Sequence, residues 1–348
     1  MKKLLCLMLC VLLTLPAVAG AETMLISLVG DCTVGDQYMY RGYKSSFTYK
    51  TKQNGLDYPF SLAADLFAAD DLTIANCEGV FTKRSPGKNA KKMTLGAPPE
   101  FAQVFQLGNV DVCNLANNHG KDFGQGGRED TVAALEALGI GCFGDDILYT
   151  TEIKGVKIGI TGYTYPHNDQ KMKKYRKNIE ALRDAGCTFI IASAHWGKEE
   201  SLRINLEQKK YAPMLIDMGA DMVYGHGSHT VQPIQIYKGK LIFYSLSNFT
   251  FGANAAPKDD DSVVIQVTYD IQSDGTMTAA ELRALPYKMH YKKDFRPYPI
   301  EDAAGMEQVW KKLVFTRKSD PDSGLPESFL TSGYADLRTL PEPADGAE

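Results

Sequence analysis

What this chain lacks narrows its chemistry first. Only seven of its 348 residues are cysteine, and no two are spaced as Cys-x-x-Cys. A disulfide scaffold is not expected in a chain of this size, though a single bridge stays open. Neither sign of charge predominates: 38 Lys and Arg stand against 42 Asp and Glu, a formal net charge of −4. That balance argues against nucleic acid as a bulk electrostatic partner. The sequence contains no internal repeat. Its long apolar run, residues 4–15, is short for a membrane span.

That run has the form of an export signal. Lys2 and Lys3 precede it, and the small residues Ala17-Val18-Ala19 and Ala19-Gly20-Ala21 follow. Residues 1–21 are expected to be removed, taking Cys6 and Cys10 with them. Nothing around Cys10 resembles a lipoprotein cleavage site. The mature protein is expected to be secreted, or held in the periplasm or cell envelope; uncleaved, the same segment would anchor it. Five cysteines would remain. Cys32, Cys77 and Cys113 lie in or beside apolar runs and read as small buried residues rather than metal ligands.

Roughly 325 residues then remain, enough for one large domain or two ordinary ones. Strand and helix signals alternate. Strands are expected over 24–30, 72–75, 110–116, 187–194 and 221–224, and helices over 60–69, 98–107, 127–138, 172–185 and 206–218. Lys154-Gly155, between two short β runs, signals a hairpin. Beyond Gln232 strands follow one another over 234–237, 240–251, 262–269 and 277–285 with no helix between. Helix-linked strands followed by hairpins imply an α/β fold with mixed sheets. Residues 301–348 hold one helix signal over 303–313 and then a polar tail expected to add little core.

The histidines carry the chemistry. Four of the six end apolar runs, each beside glycine or a carboxamide: Asn117-Asn118-His119-Gly120, Ala194-His195-Trp196-Gly197 and Gly225-His226-Gly227-Ser228-His229. Two acidic positions have the same form, Asp31 after 24–30 and Asn76-Cys77-Glu78 after 72–75. Open α/β sheets gather ligands beyond the carboxyl ends of their strands. Imidazole, carboxylate and carboxamide together suit one or two divalent transition metals. Each motif alone has a plain structural explanation; five strand ends offering metal-competent side chains point to a shared site.

At these positions the sequence resembles the CapA family of poly-γ-glutamate capsule proteins. The resemblance rests on Gly30-Asp31, Ala75-Asn76-Cys77-Glu78-Gly79, Ala97-Pro98-Pro99-Glu100, Leu115-Ala116-Asn117-Asn118-His119, His195-Trp196-Gly197, Gly225-His226 through His229, Gln232-Pro233 and Tyr244-Ser245-Leu246-Ser247-Asn248-Phe249. Through this family it is also similar to calcineurin-like metallophosphoesterases. The resemblance implies a four-layer α-β-β-α sandwich of two mixed sheets over residues 22–300. It implies Asp31, Glu78, Asn118, His195, His226 and His229 as ligands of one or two divalent ions (Mn, Zn or Fe), with Glu78 in the place of a bridging aspartate. His119 takes the place of a proton donor that does not bind metal. The sequence departs from the pattern at Thr33, where the phosphoesterases carry histidine. It departs again in the two-residue gap between His226 and His229, and at Gly227, Gly96 and Ser247, where histidine, arginine and glycine are implied.

Around that core, Asn76, Asn117, Lys198, Arg203 and His167 are candidate substrate contacts, and Asp122 a candidate support for His119. Lys83, Arg84, Lys88, Lys91 and Lys92 form a basic loop suited either to a polyanion or simply to solvent. His290, outside every block, reads as structural. The expected function is metal-dependent hydrolysis, of the metallophosphoesterase type, of an anionic cell-envelope polymer such as poly-γ-glutamate. The alternative is a non-catalytic accessory protein that binds the polymer. Membrane-bound capsule synthesis proteins are further expected partners. Intact-mass measurement of exported material should give a mature amino terminus at Gly20 or Glu22; recovery of the full chain in the membrane would contradict the signal reading.

Overall fold

The computed structural model describes residues 22–340 apart from 89, 166–167, 254–256, 290–293, 316 and 318–319. The expected signal over 1–21, His167 and His290 therefore lie outside the described residues. Two large sheets and one small one form. In the nine-stranded sheet Thr23–Thr33, Leu72–Cys77, Val112–Asn114 and Gly141–Phe143 run parallel in that spatial order. Asp261–Ile271 and then Met277–Met289 continue the sheet antiparallel on the other side of Thr23–Thr33. In the six-stranded sheet Val156–Thr164, Phe189–His195, Met222–His226 and Lys240–Phe243 are parallel neighbours. Antiparallel strands Tyr149–Ile153 and Ile234–Tyr237 close its edges. The α/β class and the mixed sheets agree with the sequence pattern.

Side-chain alternation explains the core. Strand residues two apart share a face. Ile26 and Leu28, Leu72 and Ile74, and Val112 join one buried cluster with Ile158 and Ile160, Phe189 and Ile191, and Met222 and Tyr224 from the other sheet. Residues of opposite parity face away from it. Val29, Ala75 and Cys113 meet Phe60, Phe67, Phe101 and Phe105 in a second cluster. Ile190, Ala192 and Val223 meet Tyr175, Ile179, Leu182 and Leu215 in a third. Strands covered on both faces read as nearly continuous apolar runs, which is why 187–194 looks so hydrophobic.

Local chemistry sets the helix starts. The Asn168 side chain accepts from Lys171 N at the head of Asp169–Asp184. Asn205 and Gln208 form a capping box at Leu206–Asp217, and Asp302 caps Ala303–Lys312. Lys154 and Gly155 take φ of +47° and +72°, the left-handed pair that a two-residue hairpin requires.

Three expectations are corrected. The helix at 60–69 is a 3₁₀ turn, Tyr58–Phe60, followed by one short helix, Ala64–Ala68. The strand at 240–251 is two strands in different sheets: Lys240–Phe243 stays in the six-stranded sheet, while Asn248–Phe251 pairs with Thr23–Thr33. Ser247, at φ +67°, lies just before the second of these, in the region that favours the glycine expected there. The tail also contributes core. Phe329 and Ala335 join the inter-sheet cluster with Val309, Trp310 and Leu313, and Tyr334–Asp336 pairs with Met277–Met289. A few apolar side chains suffice for this, and the tail's polar composition masks them.

Cys32, Cys77, Cys113, Cys142 and Cys187 are all buried and unbridged. Among the described residues no helix is long and apolar enough to cross a membrane. Phe329→Ala removes a fully buried ring and should cost about 3–5 kcal/mol of unfolding free energy by denaturant titration. A loss near zero would show that the segment after 313 only rests on the surface.

Candidate metal centre

The candidate site is the polar continuation of the inter-sheet core. On the strands that form the inner faces, the apolar series ends in polar residues of the same parity. Leu72 and Ile74 lead to Asn76, and Val112 to Asn114. Phe189 and Ile191 lead to Ser193 and His195, and Met222 and Tyr224 to His226. These residues all lie at carboxyl ends of parallel strands, and all are at most 1% exposed.

Asp31 reaches this face only through a bulge. Simple alternation after Ile26 and Leu28 would turn Gly30 inward and Asp31 outward. Pairing instead slips by one residue, so that Val29 opposes Ala75 but Asp31 opposes Asn76. Gly30 permits this: a Cβ there would lie 2.2 Å from the Ser247 carbonyl oxygen. Near the slip, the Tyr224 hydroxyl donates to the Val29 carbonyl, joining the sheets. The Asp31 amide donates to the Ser247 carbonyl at 2.8 Å.

Around the fully buried Asp31 carboxylate, Asn76 Nδ2 donates to Oδ1 at 2.7 Å and the Gly227 amide to Oδ2 at 3.2 Å. His229 Nδ1 is 3.1 Å from Oδ2, and His226 Nδ1 is 3.8 Å from Oδ1. His195 Nδ1 and His226 Nδ1 are 2.9 Å apart, so one carries a proton and the other accepts it. Glu78 Oε1 lies 3.9 Å from His195 Nε2 and 3.8 Å from His229 Nε2. Two ligand sets follow, Asp31–His195–His226 and Asp31–Glu78–His229, each with its atoms within 4.8 Å of one another. Asp31 is common to both, whereas the resemblance implies Glu78 as the bridge.

Electrostatics divides the groups. Burial pushes the Asp31 carboxyl up, but the His229 hydrogen bond and the fields of His229, His226 and His195 outweigh it and hold Asp31 well below the usual carboxylate range. Burial raises Glu78 to about 7 against the opposing field of His229. Burial lowers His226 to about 4, and burial and then His226 hold His195 well below its ordinary value. Burial would lower His229 too, but Glu78 and Asp31 raise it to about 10. Asp31 and His229 therefore form a buried ion pair beside two neutral imidazoles.

The donor set fits a divalent cation. Both Glu78 oxygens and Asn118 Oδ1 are buried without a hydrogen-bond partner among the described residues. A buried carboxylate left without partners is costly, and a cation satisfies it. Neutral imidazoles, carboxylates and a carboxamide oxygen are the ligand types for such an ion.

His119 adjoins this cluster with little exposure, and its Nδ1 donates to Asp122 Oδ2 at 2.6 Å. Asp122 also accepts from the Leu95 amide at 2.8 Å and pairs with Lys91 Nζ at 2.9 Å. Lys91 further donates to the Asn118 carbonyl. The basic loop is thus partly spent on structure, and Arg84 pairs with Asp130 at 2.8 Å. Asn76, expected as a substrate contact, is instead engaged with neighbouring side chains. Its amide is fully buried, with Nδ2 donating a hydrogen bond to Asp31 and Oδ1 accepting from Asn114 and Asn117. Asn117 likewise donates to Asn76 and to the Cys77 carbonyl, though it borders a cavity. Lys198 and Arg203 are exposed, and among the described residues no hydrogen bond or ion pair joins their side chains to the cluster. Thr33, in place of the implied histidine, is buried with its hydroxyl unpartnered.

Three participants escaped the sequence reading. Asn114 Nδ2 lies 3.1 Å from His226 Nε2 and donates to Asn76 Oδ1 at 2.8 Å. Ser193 Oγ lies 2.8 Å from the same His226 nitrogen, and Asn248 Oδ1 2.8 Å from His229 Nδ1. A polar residue at inward parity in an apolar strand is the signal that marks Asn114 and Ser193.

A buried histidine–carboxylate cluster at the strand ends of a mixed α/β fold defines a group able to hold a metal ion. The sequence profile described as "Bacterial capsule synthesis protein PGA_cap" matches residues 25–253, and the chain belongs to that family. It is 29% identical over 314 residues to "PGA biosynthesis protein CapA" of Bacillus subtilis (strain 168), covering 83% of this chain and 77% of that one. It is 30% identical over 206 residues to "Probable polyglutamine synthesis accessory protein MT0602" of Mycobacterium tuberculosis (strain CDC 1551 / Oshkosh), covering 51% and 54%. The solved structure of TT1561 from Thermus thermophilus aligns over 74% of this chain and 98% of that one. The two are 9% identical in sequence, with a TM-score of 0.43.

Glu78 makes this centre sensitive to pH. With its pKa raised from 4.5 to about 7, folding takes up a proton between those values. The Glu78 contribution to the stability of metal-free protein should therefore fall as pH rises from 4.5 to 7, against the rise that His195 and His226, with lowered values, contribute below 6.5. Glu78→Gln should remove that falling contribution and so make the pH slope between 4.5 and 7 more positive, raise metal-free stability at pH 8 by about 1–3 kcal/mol, and weaken metal retention. Thermal melts across pH, with metal content by elemental analysis, check both halves; an unchanged pH slope would place the titration elsewhere.

Proposed function

We propose that this chain is an exported, metal-dependent hydrolase acting on an anionic cell-envelope polymer of the poly-γ-glutamate class. The observation that carries the reading is the convergence of Asp31, His195, His226, His229 and an unpartnered Glu78 beside the His119–Asp122 pair. The polymer class comes from the family and from the name of the Bacillus subtilis relative, "PGA biosynthesis protein CapA". Three core clusters, one between the sheets and one beyond each, support a four-layer arrangement of helices, sheet, sheet and helices.

Asp31 would serve both ligand sets, with His195 and His226 on one side and Glu78 and His229 on the other. Asn118, on the same loop as His119, adds a carboxamide oxygen. The set suits one or two Mn, Zn or Fe ions. Such an ion supplies Lewis acidity, polarising the attacked group and lowering the pKa of water. The remaining work belongs to the protein. Asp122 fixes the His119 ring through Nδ1, leaving Nε2 as the nitrogen that can pass a proton to a leaving group. Buried walls from both sheets exclude bulk water from the carboxylates.

A second reading, a non-catalytic polymer-binding accessory protein, is favoured by the name of the mycobacterial relative and by Thr33 in place of a histidine. The two readings separate on His119. Under catalysis, His119→Ala keeps most bound metal and lowers turnover of γ-glutamyl or phosphodiester substrates ~10²–10⁴-fold, the range for a positioned acid. His226→Ala should lose metal and activity together. Equal metal loss in both variants would make His119 a ligand, and polymer binding without hydrolysis in any preparation would favour the accessory role.

A further inference from the structure

A cavity of about 330 Å³ opens beside the histidine–carboxylate cluster on the same edge of the sheets. Asn117 and Asn118 form one wall, from the loop that carries His119. Tyr163 and Thr164 form another, and Thr164 lies opposite His195 in the strand ladder. The cavity is therefore continuous with the strand ends that hold the histidines.

Its charge is unbalanced. Lys121, Arg128, Lys171 and Lys174 border it against only Asp145 and Asp146. The Arg128 guanidinium is spent on the carbonyls of Leu115, at 2.7 Å, and Gly144, at 2.8 Å. Lys121 Nζ stands 3.9 Å from Asp145, a loose pairing. Lys171 and Lys174 have no carboxylate within ion-pair distance among the described residues; their ammonium groups lie 5.3 and 5.9 Å from the centre of the Tyr163 ring. Both belong to the first two turns of Asp169–Asp184, where the helix macrodipole already places positive charge. Two lysines there oppose the dipole, a local cost that an anionic ligand would offset.

We propose that this cavity is a subsite for a carboxylate of the substrate chain, held by Lys121, Lys171 and Lys174 while the neighbouring unit of the same chain lies at the metal cluster. The inference rests on the polymer reading above and adds the residues that select an acidic chain over a neutral one. Cations converging on a partly enclosed cavity bind carboxylates more strongly than the same cations spread over an open surface. Tyr163 keeps the two lysine stems beside one another.

The test uses the full exported chain and a labelled short γ-linked glutamate oligomer, with the γ-linked glutamine oligomer and inorganic polyphosphate as comparisons. Binding is read by fluorescence anisotropy at two salt concentrations. The Lys171→Glu/Lys174→Glu double variant should weaken binding of the glutamate oligomer by roughly tenfold or more and reduce its salt dependence. Metal content should stay unchanged. Glutamate at a helix amino terminus suits the dipole, so loss of binding would not reflect loss of the helix. Lys121→Gln, on a different element, should weaken binding in the same direction. Arg176→Glu, on the same helix but outside the cavity, should not. Equal binding by wild type and the Lys171/Lys174 variant overturns the subsite and leaves the polymer reading intact. An equal loss in Arg176→Glu overturns it in favour of a diffuse field. Tighter binding of polyphosphate than of glutamate oligomer overturns the carboxylate assignment. If wild type binds no acidic oligomer, the polymer reading fails and the subsite with it.

Discussion

A carboxylate cut off from water governs this structure. Asp31 sits where the two large sheets meet, and burial of a lone charge there would be prohibitive. Every neighbouring polar choice answers that cost. Asn76 and the Gly227 amide donate to it, His229 pairs with it, and Asn114 and Asn117 hold Asn76 in place. The donors come from both sheets, so the polar cluster forms only when the sheets are docked. The apolar cluster directly beneath does the docking, and Tyr224 contributes to both, its ring in the core and its hydroxyl on Val29.

The same arrangement suits the centre to a cation. Asp31 is satisfied by protein donors and by protonated His229, so the ion pair can stand alone. Glu78 is not satisfied: burial favours its neutral form, and both its oxygens lack partners. His195 and His226, held neutral by burial, keep lone pairs available that protonation would remove. The site thus combines one carboxylate kept charged, one kept close to neutrality, and imidazoles kept basic enough to ligate yet unprotonated. Backbone strain accompanies it, as Ser247 and His229 both take positive φ at the rim.

Charge changes sign outward from this centre. The buried groups are carboxylates and imidazoles, while the rim carries lysines: Lys91 braced against Asp122, and Lys121, Lys171 and Lys174 around the adjoining cavity. A positive rim around a centre able to hold a cation suits an acidic chain better than a neutral one. Lys91 shows that sequence clusters of lysine are not uniformly solvated, since this one buttresses the His119 loop.

Much of the site was legible from residue order alone. A strand buried on both faces must be apolar nearly throughout, so a polar residue at its carboxyl end is conspicuous; Asp31, Glu78, His119, His195, His226 and His229 are visible this way. The hairpin at Lys154-Gly155 and most of the helices follow from turn and capping chemistry, which is local. Tertiary structure alone decided the rest. Whether Asp31 faces the site or the outer core depends on a one-residue slip at Gly30, set by contact with Ser247 from a distant segment. Asn76 looked available to substrate, but its hydrogen bonds are consumed by residues that sequence does not place beside it. The split of 240–251 between two sheets, and the burial of Phe329 in a polar tail, were hidden for the same reason. Periodicity and caps are properties of neighbours along the chain, while register, shared ligands and the occupancy of a donor are properties of neighbours in space.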